Sequence, residues 1–287
     1  MKKNYLFLNS FYLKLIAIIT MTIDHIGSAL MSYFPNNTAQ FATGIAFRYI
    51  GRISLPLIIF ILVIGALKTH DIKKYLLRMG IAAAALAVVL IPLQYAGNFK
   101  AIDGNIFLAL FLLLLSFYLL SLKGYKKAYI LLPAAYVIFT FFYSVYGKST
   151  FPFPVGLLPE YTLYAYLMGI LIYSFAKLYD SKIQKGCIEN KVDYEEYKTS
   201  NDYKRSFNLV AIGAIIIVII LYFTLKYINV AYDIYNDRFQ SYAILSVLFI
   251  FFYNHERGYK NKYSQYAFYI YYPVHLAIIF GIFMLIF

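Results

Sequence analysis

The sequence predicts an all-α fold: a polytopic membrane helix bundle of about nine transmembrane helices, with a cytoplasmic N-terminus and an extracytoplasmic C-terminus. Three observations carry this reading. Of the 287 residues, 62% are hydrophobic and the mean hydropathy is +0.67, more apolar side chain than a soluble domain of this size can bury. Charged residues make up only 14% and cluster between long apolar runs, a pattern suited to helices that satisfy their own backbone in lipid. Lysine and arginine then divide unequally between alternate connections, which sets the orientation.

Apolar stretches of spanning or near-spanning length fall at 11–33, 47–68, 75–96, 105–122, 126–146, 161–179, 207–225, 239–254 and 264–287. With the N-terminus inside, 20 of the 26 Lys and Arg residues fall on the inner side. The outer side receives Arg48, Arg52, Lys100, Lys148, Lys226 and Arg238. Removing one span would scramble this asymmetry. The basic residues at helix ends also explain the net charge of +13 without a nucleic-acid partner. The 32 Tyr and 26 Phe suit a lipid-facing surface with interfacial tyrosine belts, and multi-pass insertion in the cell membrane follows.

The whole of 1–287 reads as one domain. Its one sizeable polar insertion, 180–206, carries mixed charge and no apolar periodicity, and is expected to be a mobile cytoplasmic loop. Cys187, the single cysteine, excludes an internal disulfide and a multi-cysteine metal site. No small-residue cleavage site follows the first apolar run, so that helix is expected to stay as an anchor. No internal repeat stands out, which weighs against repeat-built transporters.

Ionisable residues inside a span are costly and are functional candidates by default. The first helix carries Lys14, Asp24 and His25. Lys14 and His25 lie eleven residues apart, which returns to nearly the same helix face roughly 16 Å further along. The second carries Arg48 and Arg52, one turn apart on one face and at a depth similar to His25, so an ion cluster with Asp24 is expected. Gly51 and Pro56 would loosen that helix beside the cluster. On the third, Lys73, Lys74 and Arg78 form either a positive-inside anchor or a cradle for a phosphorylated cytosolic ligand. The last helix brings His275, two residues beyond Pro273, to mid-depth. Two histidines with a carboxylate and arginines suit a proton relay better than a metal site, which would want a third strong ligand. His70 and His255 are expected to be solvated at the inner interface, while Asp103, Asn105 and Glu160 are candidates for an outer vestibule.

These residues also resemble a known family. The run from Leu13-Lys14 to Asp24-His25-Ile26-Gly27, the segment Arg48-Tyr49-Ile50-Gly51-Arg52 up to Pro56, the basic run Lys73-Lys74 to Arg78, and the ending Tyr269 to Pro273-Val274-His275 resemble TraX proteins. The resemblance covers the first third well and the last twenty residues fairly, while 180–206 matches no pattern. TraX proteins acetylate the N-terminus of conjugative pilin, and they look related to acyltransferase type 3 and heparan-glucosaminide acetyltransferase proteins. In the type 3 group a basic residue precedes a first-helix histidine, the catalytic candidate there, by ten intervening positions, a spacing that Lys14 and His25 reproduce. A basic run there serves acyl-CoA, and Lys73, Lys74 and Arg78 match it in position.

The resemblance implies a membrane acetyltransferase that moves an acetyl group from cytoplasmic acetyl-CoA to an amine or hydroxyl outside. Lys14, Lys73, Lys74 and Arg78 would hold the donor. His25 would act as general base or acyl carrier, oriented by Asp24 if that side chain turns toward it; adjacent helical residues point about 100° apart, so the partner is instead Arg48 or Arg52 if it does not. The two arginines would serve the oxyanion or the acceptor, with His275 alongside. No metal is expected; the partners are acetyl-CoA, the acceptor and membrane lipids, and a homo-oligomer stays open. Two rivals use parts of the same pattern: a proton-coupled transporter or channel built on the buried charges, and a scaffold protein that would need none of them. The acceptor, whether pilin amine, wall polymer or glycan, is open at this stage.

Overall fold

The computed structural model describes residues 5–95, 104–147, 152–227, 237–259 and 264–286, and among these no β-strand forms. The long helices are α1 (Ser10–Tyr33), α2 (Thr38–Gly51), α3 (Ser54–Lys68), α4 (Ile72–Tyr95) and α5 (Ile106–Ser121). Then come α6 (Leu131–Phe142), α7 (Thr162–Glu189), the short α8 (Tyr194–Thr199), α9 (Asn201–Tyr227), the short α10 (Ser246–Phe251) and α11 (Ser264–Ile286). Among the described residues six helical segments are long and apolar enough to cross a membrane: Ser10–Tyr33, Thr38–Lys68, Ile72–Tyr95, Gly124–Val145, Asn201–Thr224 and Ala267–Leu285. The apolar helices Ile106–Ser121 and Phe239–Phe251 are shorter.

Helix α3 is apolar on every side, and Leu57, Ile59, Phe60 and Val63 are fully buried. Such a helix belongs in the middle of a bundle, and α3 packs on α1, α5 and α7. The exposed apolar residues lie elsewhere, for example Val88, Leu132 and Ile220 on α4, α6 and α9.

Two expectations need correction. The second helical segment begins at Thr38, well before residue 47. Asn37 caps it by accepting the Gln40 N–H, and its small residues let it lie directly on α1. A Cβ on Gly27 would meet the Gly44 carbonyl oxygen at 2.7 Å, the close approach that glycine permits between packed helices. Segment 180–206 is not a coil. Helix α7 continues to Glu189, α8 follows, and α9 starts at Asn201. Asp180 ties them together by accepting the hydroxyls of Tyr194 and Tyr203.

The segment that leads into α1 is pinned to the turn after α10. Asn9 caps α1 through the N–H groups of Phe11 and Tyr12, the Ser10 N–H donates to the Glu256 carbonyl, and Lys68 donates to the His255 carbonyl at 2.7 Å. The start of α1, the end of α3 and the turn around His255 therefore converge on one end of the bundle, which is rich in cations. Lys2, Lys3, Lys100, Asp103, Lys148, Lys260, Lys262 and the side chains of Lys226 and Arg238 lie outside the described residues.

Candidate functional site

Asp24 is buried in the middle of α1, and its carboxylate is shared by two guanidiniums. Arg48 Nη1 donates to Oδ2, and Arg52 Nη2 contacts both oxygens, all at 2.5 Å. The backbone makes this cluster. α2 ends at Gly51, the chain turns through Arg52 and Ile53, and α3 restarts at Ser54, whose hydroxyl donates to the Gly51 carbonyl. The break lets Arg48 and Arg52 reach the same carboxylate. Gly51 is required here because a Cβ at this position would collide with the Asp24 side chain. Pro56 sits in the first turn of α3, where its missing N–H costs nothing. The Tyr161 ring lies 5.6 Å from the Arg52 guanidinium, in left-handed backbone with φ 58°. The neighbouring Glu160 accepts the Tyr272 hydroxyl at 2.9 Å.

His25 points about 100° away around α1, as adjacent helical residues do. Its Nδ1 lies 2.7 Å from Nε2 of His275 on α11, and no hydrogen bond to Asp24 forms. The expected contact of Asp24 with His25 does not form, since both carboxylate oxygens of Asp24 are occupied by arginine, and the ring nitrogen meets His275 instead. The register of α11 on α1 is fixed nearby, where Tyr271 and Thr22 hydroxyls meet at 2.6 Å. The Tyr271 ring stacks on His275 with 9° between planes, and the edge of Tyr272 meets His25.

A cavity of about 670 Å³ runs along α1 toward this pair. Its charged and polar wall is formed by Lys14, Lys68, His70, Arg78, His255 and Arg257. Its apolar part is lined by Ile61, Leu110 and Phe107, and Met21 and Tyr272 are also in the wall. Neither His25 nor His275 is in the wall; the wall residues beside them are Met21, one turn before His25 on the same face of α1, and Tyr272, whose ring meets His25 edge-on. The volume falls within the roughly 300–1,000 Å³ of small-molecule sites.

The model of the TraX protein family matches residues 10–181, more than half of the chain. The chain belongs to the TraX family. Comparison with curated proteins and with solved structures gave no match. The family match contains Lys14, Asp24, His25, both arginines, the α4 basic run and Glu160, whereas His255 and His275 lie beyond it. The TraX segment thus supplies one histidine of the pair and most of the cavity, and the C-terminal helices supply the rest.

The four residues expected to hold a cytosolic anion separate in the structure. Lys14 and Arg78 line the cavity, with Lys14 over the Phe268 ring at 5.1 Å. Lys73 and Lys74 do not line it. They are exposed, and Lys74 pairs with Asp71, whose carboxyl is held below its ordinary value chiefly by the Lys74 backbone N–H. Lys68, Arg257 and His255 line the cavity instead, and no local signal in the sequence marks any of the three for that position. His255 is not solvated. Its Nε2 bonds Asn208 Oδ1 at 2.9 Å, while the Asn208 amide donates to the Tyr253 carbonyl. Burial lowers its pKa from 6.5 to about 3, so it is neutral beside the cations. Asn105 is a structural staple and not a vestibule residue, capping α5 and donating to the Ala83 and Gly156 carbonyls. Among the described residues no cluster of three or more His, Cys, Asp and Glu groups is arranged to hold a metal ion.

Proposed function

We propose that this TraX protein is a transmembrane acetyltransferase that takes its acetyl group from cytoplasmic acetyl-CoA and passes it to an acceptor on the other side. The observation that carries the reading is a cavity with cations at one end and, at the other, the wall residues Met21 and Tyr272 that flank His25. Lys14, Lys68, Arg78 and Arg257 would neutralise the donor's phosphates. The apolar stretch past Ile61 and Leu110 would sheathe the pantetheine arm. That arm is about 15–20 Å long, close to the ~16 Å rise along α1 from Lys14 to His25. The thioester would then lie against Met21, Phe107 and Tyr272, next to His25.

The acceptor would approach from the side of Arg48 and Glu160. His25 would remove a proton from the attacking amine or hydroxyl. The Arg48–Asp24–Arg52 cluster would hold the wall between donor and acceptor sides. Among acceptors, the family membership favours the N-terminal amine of a pilin-like protein. The reading includes nine crossings with the N-terminus and the cation-rich end in the cytoplasm, because the lysine and arginine asymmetry asks for that orientation.

The test uses purified protein in lipid nanodiscs. Acetyl-CoA should bind with CoA as a competitor, and Lys14→Ala combined with Arg78→Ala should weaken binding at least tenfold. Mass spectrometry of surface proteins and envelope polymers from a deletion strain should then show one acetylated species missing. A wild-type protein that binds no acetyl-CoA would return the buried charges to the transporter reading.

A further inference from the structure

The hydrogen bonds around the two histidines leave one proton arrangement when both rings are neutral. His275 Nδ1 lies 2.9 Å from the Tyr271 carbonyl oxygen, which can only accept, so that nitrogen carries the proton. His275 Nε2 is then a lone pair. Its partner at 2.7 Å, His25 Nδ1, must be the donor. The remaining nitrogen, His25 Nε2, is an unprotonated lone pair with no hydrogen bond among the described residues. The partly buried His25 keeps that lone pair on a ring touching Tyr272, a wall of the cavity.

The geometry points to His275 as a positioning residue that holds His25 in its Nδ1–H tautomer, doing with an imidazole what an acidic side chain does for a base elsewhere. This rests on the acetyltransferase reading for its chemistry but not for its geometry. Two contacts hold His275 itself, and a third holds the tyrosine that makes them. Its Nδ1–H is tethered to Tyr271, its ring stacks on the Tyr271 ring 4.9 Å away, and Tyr271 is bonded to Thr22 of α1. Because Thr22 donates its own proton to the Ile18 carbonyl, the Tyr271 hydroxyl must donate to Thr22. The direction of every proton from α1 to α11 and back is therefore set. Asp24 is unavailable for the task, being held by two arginines.

In the reaction, the acceptor nitrogen or oxygen forms its bond to the acetyl carbon, and its proton moves to His25 Nε2. The carbon–sulfur bond breaks, and the CoA thiolate takes that proton back from Nε2 to leave as the thiol. Throughout, His25 Nδ1–H stays directed at His275 Nε2, which shares the charge of the transient imidazolium. His275 touches neither substrate.

The experiment is ¹⁵N NMR of the full chain in nanodiscs, labelled at histidine; the chain has only four. Wild-type protein should show His25 and His275 both protonated at Nδ1, and His25→Gln assigns the first signal. His275→Leu removes the acceptor, so His25 should lose its single tautomer. Acetyl transfer should then fall about 10²–10⁴-fold in kcat, with KM for acetyl-CoA nearly unchanged. His275→Gln still offers a carbonyl oxygen to the His25 Nδ1–H and should recover most of both signals. A wild-type His25 protonated at Nε2 overturns the inference, as does a Leu variant with unaltered tautomer and kcat. Wild-type protein that transfers no acetyl group would sink the enzymatic reading alone, because the tautomer is read without substrate.

Discussion

Replacing Asp24 by Asn is the sharpest test of the ion cluster. The substitution keeps shape and removes one charge. In the native protein the Asp24 carboxylate is the shared partner of Arg52, which is 2% exposed, and of Arg48, which reaches it from α2. Without it, two guanidiniums face a neutral amide, with Glu160 the other carboxylate acting on Arg52. Breaking a buried pair by removing one partner costs about 3–5 kcal/mol, since the remaining charge stays desolvated. At about 2–4 °C per kcal/mol, the thermal midpoint of detergent-solubilised protein should drop by roughly 10 °C. Adding Arg52→Gln should restore part of the loss, because removing a whole buried pair is cheaper than removing half. A midpoint for Asp24→Asn within a degree or two of wild type would refute the reasoning, and would mean that the cluster is hydrated.

Other outcomes follow from the cavity and its mouth. Lys73→Ala with Lys74→Ala should leave acetyl-CoA affinity nearly unchanged at physiological salt, whereas Lys14→Ala with Arg78→Ala should weaken it at least tenfold by calorimetry. Phe107→Ala should widen the apolar part of the cavity and admit propionyl- and butyryl-CoA, seen as a change in donor preference in competition assays. His255 is neutral when folded, with its pKa lowered from 6.5 to about 3, so the unfolded chain binds the extra proton as pH falls. Stability should therefore be full above pH 6.5 and decline between there and pH 3 by up to about 1.4 kcal/mol per unit from this group. His255→Gln should flatten that slope in pH-dependent thermal unfolding.

Much of the site was legible in the sequence because charges inside an apolar span have few places to go. Asp24, Arg48 and Arg52 can be assigned to one cluster from helical spacing and depth alone; of the two residues expected to loosen the helix beside it, Gly51 lies at the break and Pro56 lies inside α3. The partner of His25 was less accessible. Two adjacent residues on α1 suggest a pair, yet their directions differ by about 100°, and only the register of α11, fixed through Thr22 and Tyr271, brings His275 to His25. The cation-rich end was half legible. A basic run at a helix start looks the same whether it lines a cavity or faces solvent, and the pairing of Lys74 with Asp71 decides against it. Lys68 and Arg257 carry no local signal, because they reach the mouth through the pinning of Ser10 and His255 across the chain. The early start of α2 was hidden for a related reason. Thr, Ala and Gly between 38 and 46 resemble a loop in composition, and they are helical because small residues can lie against α1.

The central claim is that the thioester end of acetyl-CoA reaches His25 through the cavity. Photocrosslinking tests it most directly, with a CoA analogue that carries a diazirine in the acyl position, the protein held in nanodiscs, and the labelled residues identified by mass spectrometry. The expected labels fall on α1 between Met21 and His25, on Phe107, and on α11 near Tyr272, and excess acetyl-CoA should suppress them. Labels confined to the exposed Lys73–Lys74 face, or unaffected by acetyl-CoA, would contradict the claim.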